Sequence, residues 1–194
     1  MHSGSAGTIQ GVSRPPVARA KVLRAFVEIL LSEGESATTM EAVAARAGVT
    51  KGGLLYHFGS RDALVQGLLE RLDELGEADV AAMRSAPEGP VDYYLRTSDV
   101  TSSVEFNELF IAASRLTKEA GLQARARLRA LETRWLELLT EAIGDDARAR
   151  LVLLLGDGLY LQGMIADTPG QPAGSGQLDL VLPLVEQLLA TEGT

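Results

Sequence analysis

Thr38-Thr39-Met40-Glu41-Ala42-Val43-Ala44-Ala45-Arg46-Ala47-Gly48-Val49-Thr50-Lys51-Gly52-Gly53-Leu54-Leu55-Tyr56-His57-Phe58 is the stretch on which the reading of this chain turns. Thr38 stands three residues before Glu41, the spacing at which a capping hydroxyl and a reciprocating carboxylate close the first turn of a helix. Met40, Val43, Ala44 and Ala47 then recur at three and four, which predicts a helix of about eight residues with one apolar face. Gly48 can turn left-handed past its end. Thr50 is a good cap for a second short helix, running through His57 or Phe58 until Gly59 breaks it. Two short helices about a Gly48-Val49-Thr50 turn have the spacing of a helix-turn-helix, whose first helix crosses a phosphate backbone while the start of the second meets base edges. On spacing alone, two packed helices in any all-α core fit as well.

Outward from this stretch the pattern stays helical. Val22, Phe26, Ile29 and Leu30, with Leu23, Val27 and Leu31 beside them, predict a helix from about Val17 to Gly34, after Arg14-Pro15-Pro16. Ser60 caps a longer helix carrying Leu64, Val65, Leu68, Leu69 and Leu72. Breaks at Pro87-Glu88-Gly89-Pro90, Gly121, Gly144-Asp145-Asp146 and residues 168–176 leave further helices at about 91–100, 103–118, 122–143, 147–167 and 178–190. No segment alternates with a period of two between turn pairs, so the expected class is all-α, with about nine helices and no sheet. The expected division is a disordered leader over 1–16, a helix-turn-helix domain over 17–72 and a second helical domain over 73–194. The Pro- and Gly-rich residues 168–177 read as a mobile loop.

Composition narrows the function. The chain lacks cysteine, which removes disulfides, thiolate metal sites and cysteine nucleophiles. No apolar run approaches the ~20 residues of a spanning helix, and residues 1–11 lack the charged head and apolar centre of a signal peptide. A cytoplasmic protein with no membrane partner is expected. The formal charge of -8 argues against nucleic acid if the chain is one object. Residues 1–72, however, hold eight Lys/Arg against six Asp/Glu, and the remaining residues ten against twenty. A basic head on an acidic body answers this; so does an uneven solvated surface. Arg14, Arg19, Lys21 and Arg24 read as a solvated face or as a basic arm. The two histidines, His2 and His57, are far apart, and no metal-ligand cluster, phosphate-cradling glycine loop or nucleophile elbow occurs. No cofactor, metal or catalytic residue is expected, and the chain does not read as an enzyme; carboxylates such as Asp157 keep an all-helical enzyme as a remote alternative.

The run from Thr39 through Ser60-Arg61-Asp62-Ala63-Leu64 resembles the N-terminal domain of the TetR family, from the Gly48-Val49-Thr50 turn to Tyr56-His57-Phe58 and the Ser60–Leu64 opening of the fourth helix. With the first helix the resemblance covers about Ala18 to Leu69. It implies a transcriptional regulator: a repressor that binds a palindromic, double-stranded operator as a homodimer and is released by a small-molecule effector. It also implies a C-terminal regulatory domain that holds a ligand pocket and dimerises through its last two long helices. By position, Lys51, Gly52 and Gly53 match the base-facing start of the recognition helix and Thr50 its cap. Tyr56, His57 and Arg61 match positions that touch phosphates, and Thr39 joins them at the start of the first motif helix. Two departures stand out. Many members have tyrosine where this chain has Leu55, which is then free to pack the helix, and many have a larger side chain at Gly53. Direct base readout is thinner in consequence and DNA shape carries more. A dimeric ligand-binding module without specific DNA binding is the alternative these departures leave.

Farther along, Leu151 to Ile165 is apolar almost all round, which requires burial on more than one side. Gly156 and Gly163 would permit close helix approach or serve as packing glycines. The last helix, with Leu180, Val181, Leu184, Val185, Leu188 and Leu189, has an equally wide apolar face, and together they suit a four-helix dimer bundle. Candidate pocket residues are Tyr93, Tyr94, Phe106, Phe110, Trp135, Tyr160 and Met164, with Arg115, Gln162 and Asp157 as polar anchors. Such a lining suits a largely apolar effector, although aromatics at helical spacing also serve simply as core.

Overall fold

The computed structural model describes residues 15–98, 103–165 and 175–190. The expected leader up to residue 14, and residues 168–174 of the expected loop, lie outside the described residues. Helices α1 (Pro15–Ser32), α2 (Met40–Ala47), α3 (Lys51–His57), α4 (Arg61–Ser85), α5 (Pro90–Thr97), α6 (Val104–Ser114), α7 (Lys118–Ile143), α8 (Asp146–Ile165) and α9 (Ser175–Ala190) follow one another, with a 3-10 turn at Glu35–Ala37. Among the described residues there is no strand. The chain forms two compact units that divide between Val65 and Gln66, where the sequence suggested 72 and 73.

In the first unit α1 supplies most of the core. Val22, Phe26, Ile29 and Leu30 are fully buried, as are Val43 of α2, Leu54 of α3 and Leu64 of α4. The proline pair belongs to α1, beginning it rather than preceding it; a first helical turn needs no donor from proline nitrogens. The cap of α2 is Thr39, not Thr38: the Thr39 side chain accepts from the Ala42 N–H at 3.1 Å. Thr38 is instead buried, and its hydroxyl donates to the Glu35 carbonyl at 2.6 Å. Gly48 takes φ +66° at the end of α2 and its N–H closes onto the carbonyls of Ala44 and Ala45, which fixes the turn into α3.

In the second unit α4 continues and α5 to α9 complete the packing. Met83, Leu95, Leu139, Ala149, Val152 and Leu153 are buried together at its centre. Gly144, at φ +74°, ends α7, and Asp145 restarts the chain by accepting from the Arg148 N–H at 2.9 Å. Gly121 lies inside the first turn of α7 rather than before it, at a position where a Cβ would run into the Leu116 carbonyl. Pro183 lies inside α9 on its exposed side, where water can serve the carbonyl it leaves unpaired. Arg127–Asp73, Arg134–Glu77 and Arg84–Glu141 pairs join α7 to α4; being exposed, they hold orientation more than they add stability. Leu151, Leu154, Leu161 and Met164 of α8, and Leu180, Leu184 and Leu188 of α9, face outward.

Candidate nucleic-acid interface and ligand pocket

The short helix α3 is fixed at both ends and open along one side. Thr50 caps it as expected, its hydroxyl accepting from the Gly53 N–H at 3.0 Å. Leu54 and Phe58 anchor its inner face, and the Arg19 guanidinium stacks 5.0 Å above the Phe58 ring. Its outer face carries Lys51, Gly52, Leu55 and Tyr56, all exposed. Tyr56 is 81% exposed and meets the half-buried His57 ring edge-on at 5.1 Å. Leu55 is 42% exposed, so it does not pack the helix as the sequence suggested. A Cβ on Gly52 would meet open space, whereas one on Gly53 would come within 3.2 Å of the Thr50 hydroxyl.

Two cations assigned to this surface are held differently. Lys51 Nζ lies 2.5 Å from Glu41 on α2, with both side chains more than half exposed, and this bond holds the Glu41 carboxyl below its usual range. Arg61 turns inward: its Nη2 lies 2.8 Å from Glu35 and its Nε donates to Thr38 Oγ1 at 3.2 Å. That places it in the frame that orients α2, a long-range role that its position in the motif did not reveal. Thr39 Oγ1 serves as the acceptor at the α2 cap. Of the expected basic arm, Arg24 pairs with Glu28, and Arg14 lies outside the described residues.

The second unit holds a partly open cavity of about 320 Å³. Five of the predicted aromatics form a continuous string along it: Tyr94 and Trp135 lie 5.9 Å apart, Trp135 and Phe106 6.4 Å, Phe106 and Phe110 6.2 Å, and Phe110 and Tyr160 5.7 Å. Tyr93 and Asp157 also line it. Arg115, Gln162 and Met164 do not: Arg115 ends α6, and Gln162 and Met164 point outward on α8. Gly156 is a packing glycine, since a Cβ there would overlap the Tyr94 ring and lie 2.7 Å from Ser98 Oγ.

Sequence reasoning missed Asp79, the residue that organises one wall. Its Oδ2 accepts from Trp135 Nε1 at 2.8 Å and its Oδ1 from the Tyr93 hydroxyl at 3.1 Å. Burial pushes its carboxyl above the usual range against the pull of these two donors, and burial raises the Tyr93 hydroxyl to about 12. The available signal was a carboxylate among Leu72, Leu75 and Ala82, on the inward stripe of α4. The Tyr94 hydroxyl sits between the Leu153 carbonyl at 3.4 Å and Asp157 Oδ1 at 3.5 Å, long contacts that leave room to adjust. The Asp157 carboxyl is raised by burial and then by the nearby Glu132. The Tyr160 hydroxyl is buried with no hydrogen-bond partner among the described residues. No group of three His, Asp or Glu there could hold a metal ion, and no helix there is long and apolar enough to cross a membrane.

Comparison with known proteins agrees with this architecture. Residues 22–68 match the family described as bacterial regulatory proteins, tetR family. The HTH-type transcriptional regulator TtgR of Pseudomonas putida is 36% identical over 74 residues, 38% of this chain; the match spans about a third (34%) of TtgR. Among solved structures, NalD, the secondary repressor of the MexAB-OprM multidrug efflux pump in Pseudomonas aeruginosa, superposes with a TM-score of 0.62 at 20% identity, over 87% of this chain and 94% of NalD. The multidrug binding protein EbrR, complexed with malachite green, gives 0.63 at 24% identity, over 86% of this chain and 96% of EbrR. These two likenesses establish the fold. Over residues 22–68, which include its helix-turn-helix, the chain is similar to the bacterial regulatory proteins of the tetR family.

Proposed function

We propose that this chain is a DNA-binding transcriptional repressor of the cytoplasm. Its residues 17–72 engage a palindromic operator, and its residues 73–194 dimerise and bind a small, largely apolar effector that releases the DNA. The observation that carries the reading is the outer face of α3: behind the Thr50 cap, Lys51 is the single long side chain at the helix start and Gly52 leaves open space beside it. A major groove accepts such a surface closely, with Lys51 within reach of guanine acceptors and Tyr56 and His57 placed to donate to phosphate oxygens. Arg61 is assigned to framing this surface through Glu35 and Thr38 rather than to clamping phosphate.

The outward leucines of α8 and α9 support the dimer. Leu151, Leu154 and Leu161 recur along one stripe and Leu180, Leu184 and Leu188 along another, more contiguous apolar surface than a monomer of this size leaves in water. A twofold dimer would present two copies of α3 to a palindromic operator, whose half-sites lie one DNA turn apart. Leu184→Glu, which sits 63% exposed, should yield monomers without unfolding the chain. Effector and operator oppose one another by the same factor in either direction, as linkage demands.

The test is binding of the full chain to the promoter region of its own gene, with operator variants at several salt concentrations. Loss of a base contact removes preference at one position, typically at ~1–3 kcal/mol, while loss of a phosphate contact weakens all sequences alike. Lys51→Ala should flatten one base-pair preference per half-site, and Tyr56→Phe should weaken operator and random DNA in parallel. No sequence-preferring binding on any promoter tried would leave the ligand-binding module as the better account.

A further inference from the structure

We infer that the effector is an organic cation with a flat aromatic body, its charge met by the carboxylates of Asp79 and Asp157. The inference rests on reading the cavity of the second unit as the effector site, and it adds the sign of the charge to that reading.

The cavity lining contains two carboxylates and no lysine, arginine or histidine. These are the lining residues among those the structure describes. Among the described residues, Asp79 accepts from neutral donors alone, the indole N–H of Trp135 and the hydroxyl of Tyr93. Hydrogen bonds of that kind orient a carboxylate without cancelling its charge. Asp157 faces the Tyr94 hydroxyl and feels Glu132 as a second negative charge. The cavity therefore carries negative potential from a half-buried carboxylate, Asp79, and an exposed one, Asp157.

A neutral aromatic ligand filling this space would strip water from both carboxylates and return nothing, and such uncompensated desolvation is expensive. An anion would add repulsion. A bare divalent metal would ask for six or more oxygen ligands, against a wall that is mostly aromatic carbon. An organic cation answers every element at once: it neutralises the carboxylates, and the string of aromatic rings from Tyr94 through Trp135, Phe106 and Phe110 to Tyr160 that lines the cavity suits a flat, delocalised positive charge. The solitary Tyr160 hydroxyl is then left to meet a polar group or a trapped water at the ligand's far end.

The chain's single tryptophan, Trp135, lies in the cavity wall, so its emission reports occupancy directly. The experiment titrates the full chain with 1-benzylquinolinium and with its neutral isostere 1-benzylnaphthalene, following Trp135 emission and, in parallel, calorimetric heat. The cation should bind at least about tenfold tighter, and Asp157→Asn and Asp79→Asn should each erode that preference by roughly tenfold. Asparagine at 79 can still accept from Trp135 and donate to Tyr93, whose hydroxyl rotates; should that variant nevertheless fail to fold, Asp157→Asn and the wild-type ligand pair still decide. Equal affinities, or tighter binding of the naphthalene, overturn the charge assignment and leave the effector site standing. Binding of neither probe by either readout overturns the site itself, and this inference with it.

Discussion

The residues on the outer face of α3 are held by partners close in sequence, whereas those of the cavity are held by partners far away. Thr39 bonds Ala42 and Thr50 bonds Gly53, each three positions on, and Lys51 reaches Glu41 ten positions back. In the second unit Asp79 meets Trp135 across 56 positions and Tyr94 meets Asp157 across 63. A site of the first kind is written in one short segment and stands once that segment folds. The second kind exists only after five helices have assembled, so it can be retuned from many places.

The contrast is tested hardest by Phe26→Ala, which empties the centre of the first unit's core. It should cost about 3–5 kcal/mol. Operator binding should vanish while Trp135 emission and cavity binding persist; simultaneous loss of both would show that the two units fold as one. Gly156→Ala strikes the other side by forcing Tyr94 out of place, an overpacking cost of about 1–3 kcal/mol. Calorimetry should show effector binding weakened, with DNA binding intact in the absence of effector. Thr50→Ala removes the α3 cap and should cost about 1 kcal/mol in urea unfolding, with Thr50→Ser recovering most of it. The smallest effect belongs to Glu41→Gln. By freeing Lys51 from its exposed partner it should tighten operator binding roughly two- to fivefold, and a weakened complex in a gel shift would mean that Glu41 positions Lys51 rather than competing for it.

The same division governs what could be read before the fold was known. The Gly48 turn, the Thr50 cap, the short α2 and α3 and the buried Leu54 and Phe58 were legible because each signal lies within a few residues of its effect. Thr38 was misplaced, and the Arg61 bond to it was not foreseen, because that bond spans 23 positions and turns an expected cap into a buried acceptor. Gly121 read as a helix stop because glycine is ambiguous until the neighbouring Leu116 carbonyl is placed. In the cavity the aromatics were legible as a set, yet Arg115, Gln162 and Met164 were assigned to it on composition, which does not say which side of a helix turns inward. Asp79 escaped because a lone carboxylate on an apolar stripe looks like noise until Trp135 and Tyr93 close on it.

The two adjacent glycines of α3 carry a consequence for motion. Seven residues make a marginal helix, and glycine lowers its stability by about 1 kcal/mol per position relative to alanine. With one fully buried anchor inside it, Leu54, the helix has little to hold it shut. Its amides should therefore exchange with solvent deuterium sooner than those of α1, through local openings that leave the rest of the unit closed. A partner that orders α3 must supply that free energy out of its own contacts, so the segment proposed to meet DNA is also one whose rigidity bound DNA would complete.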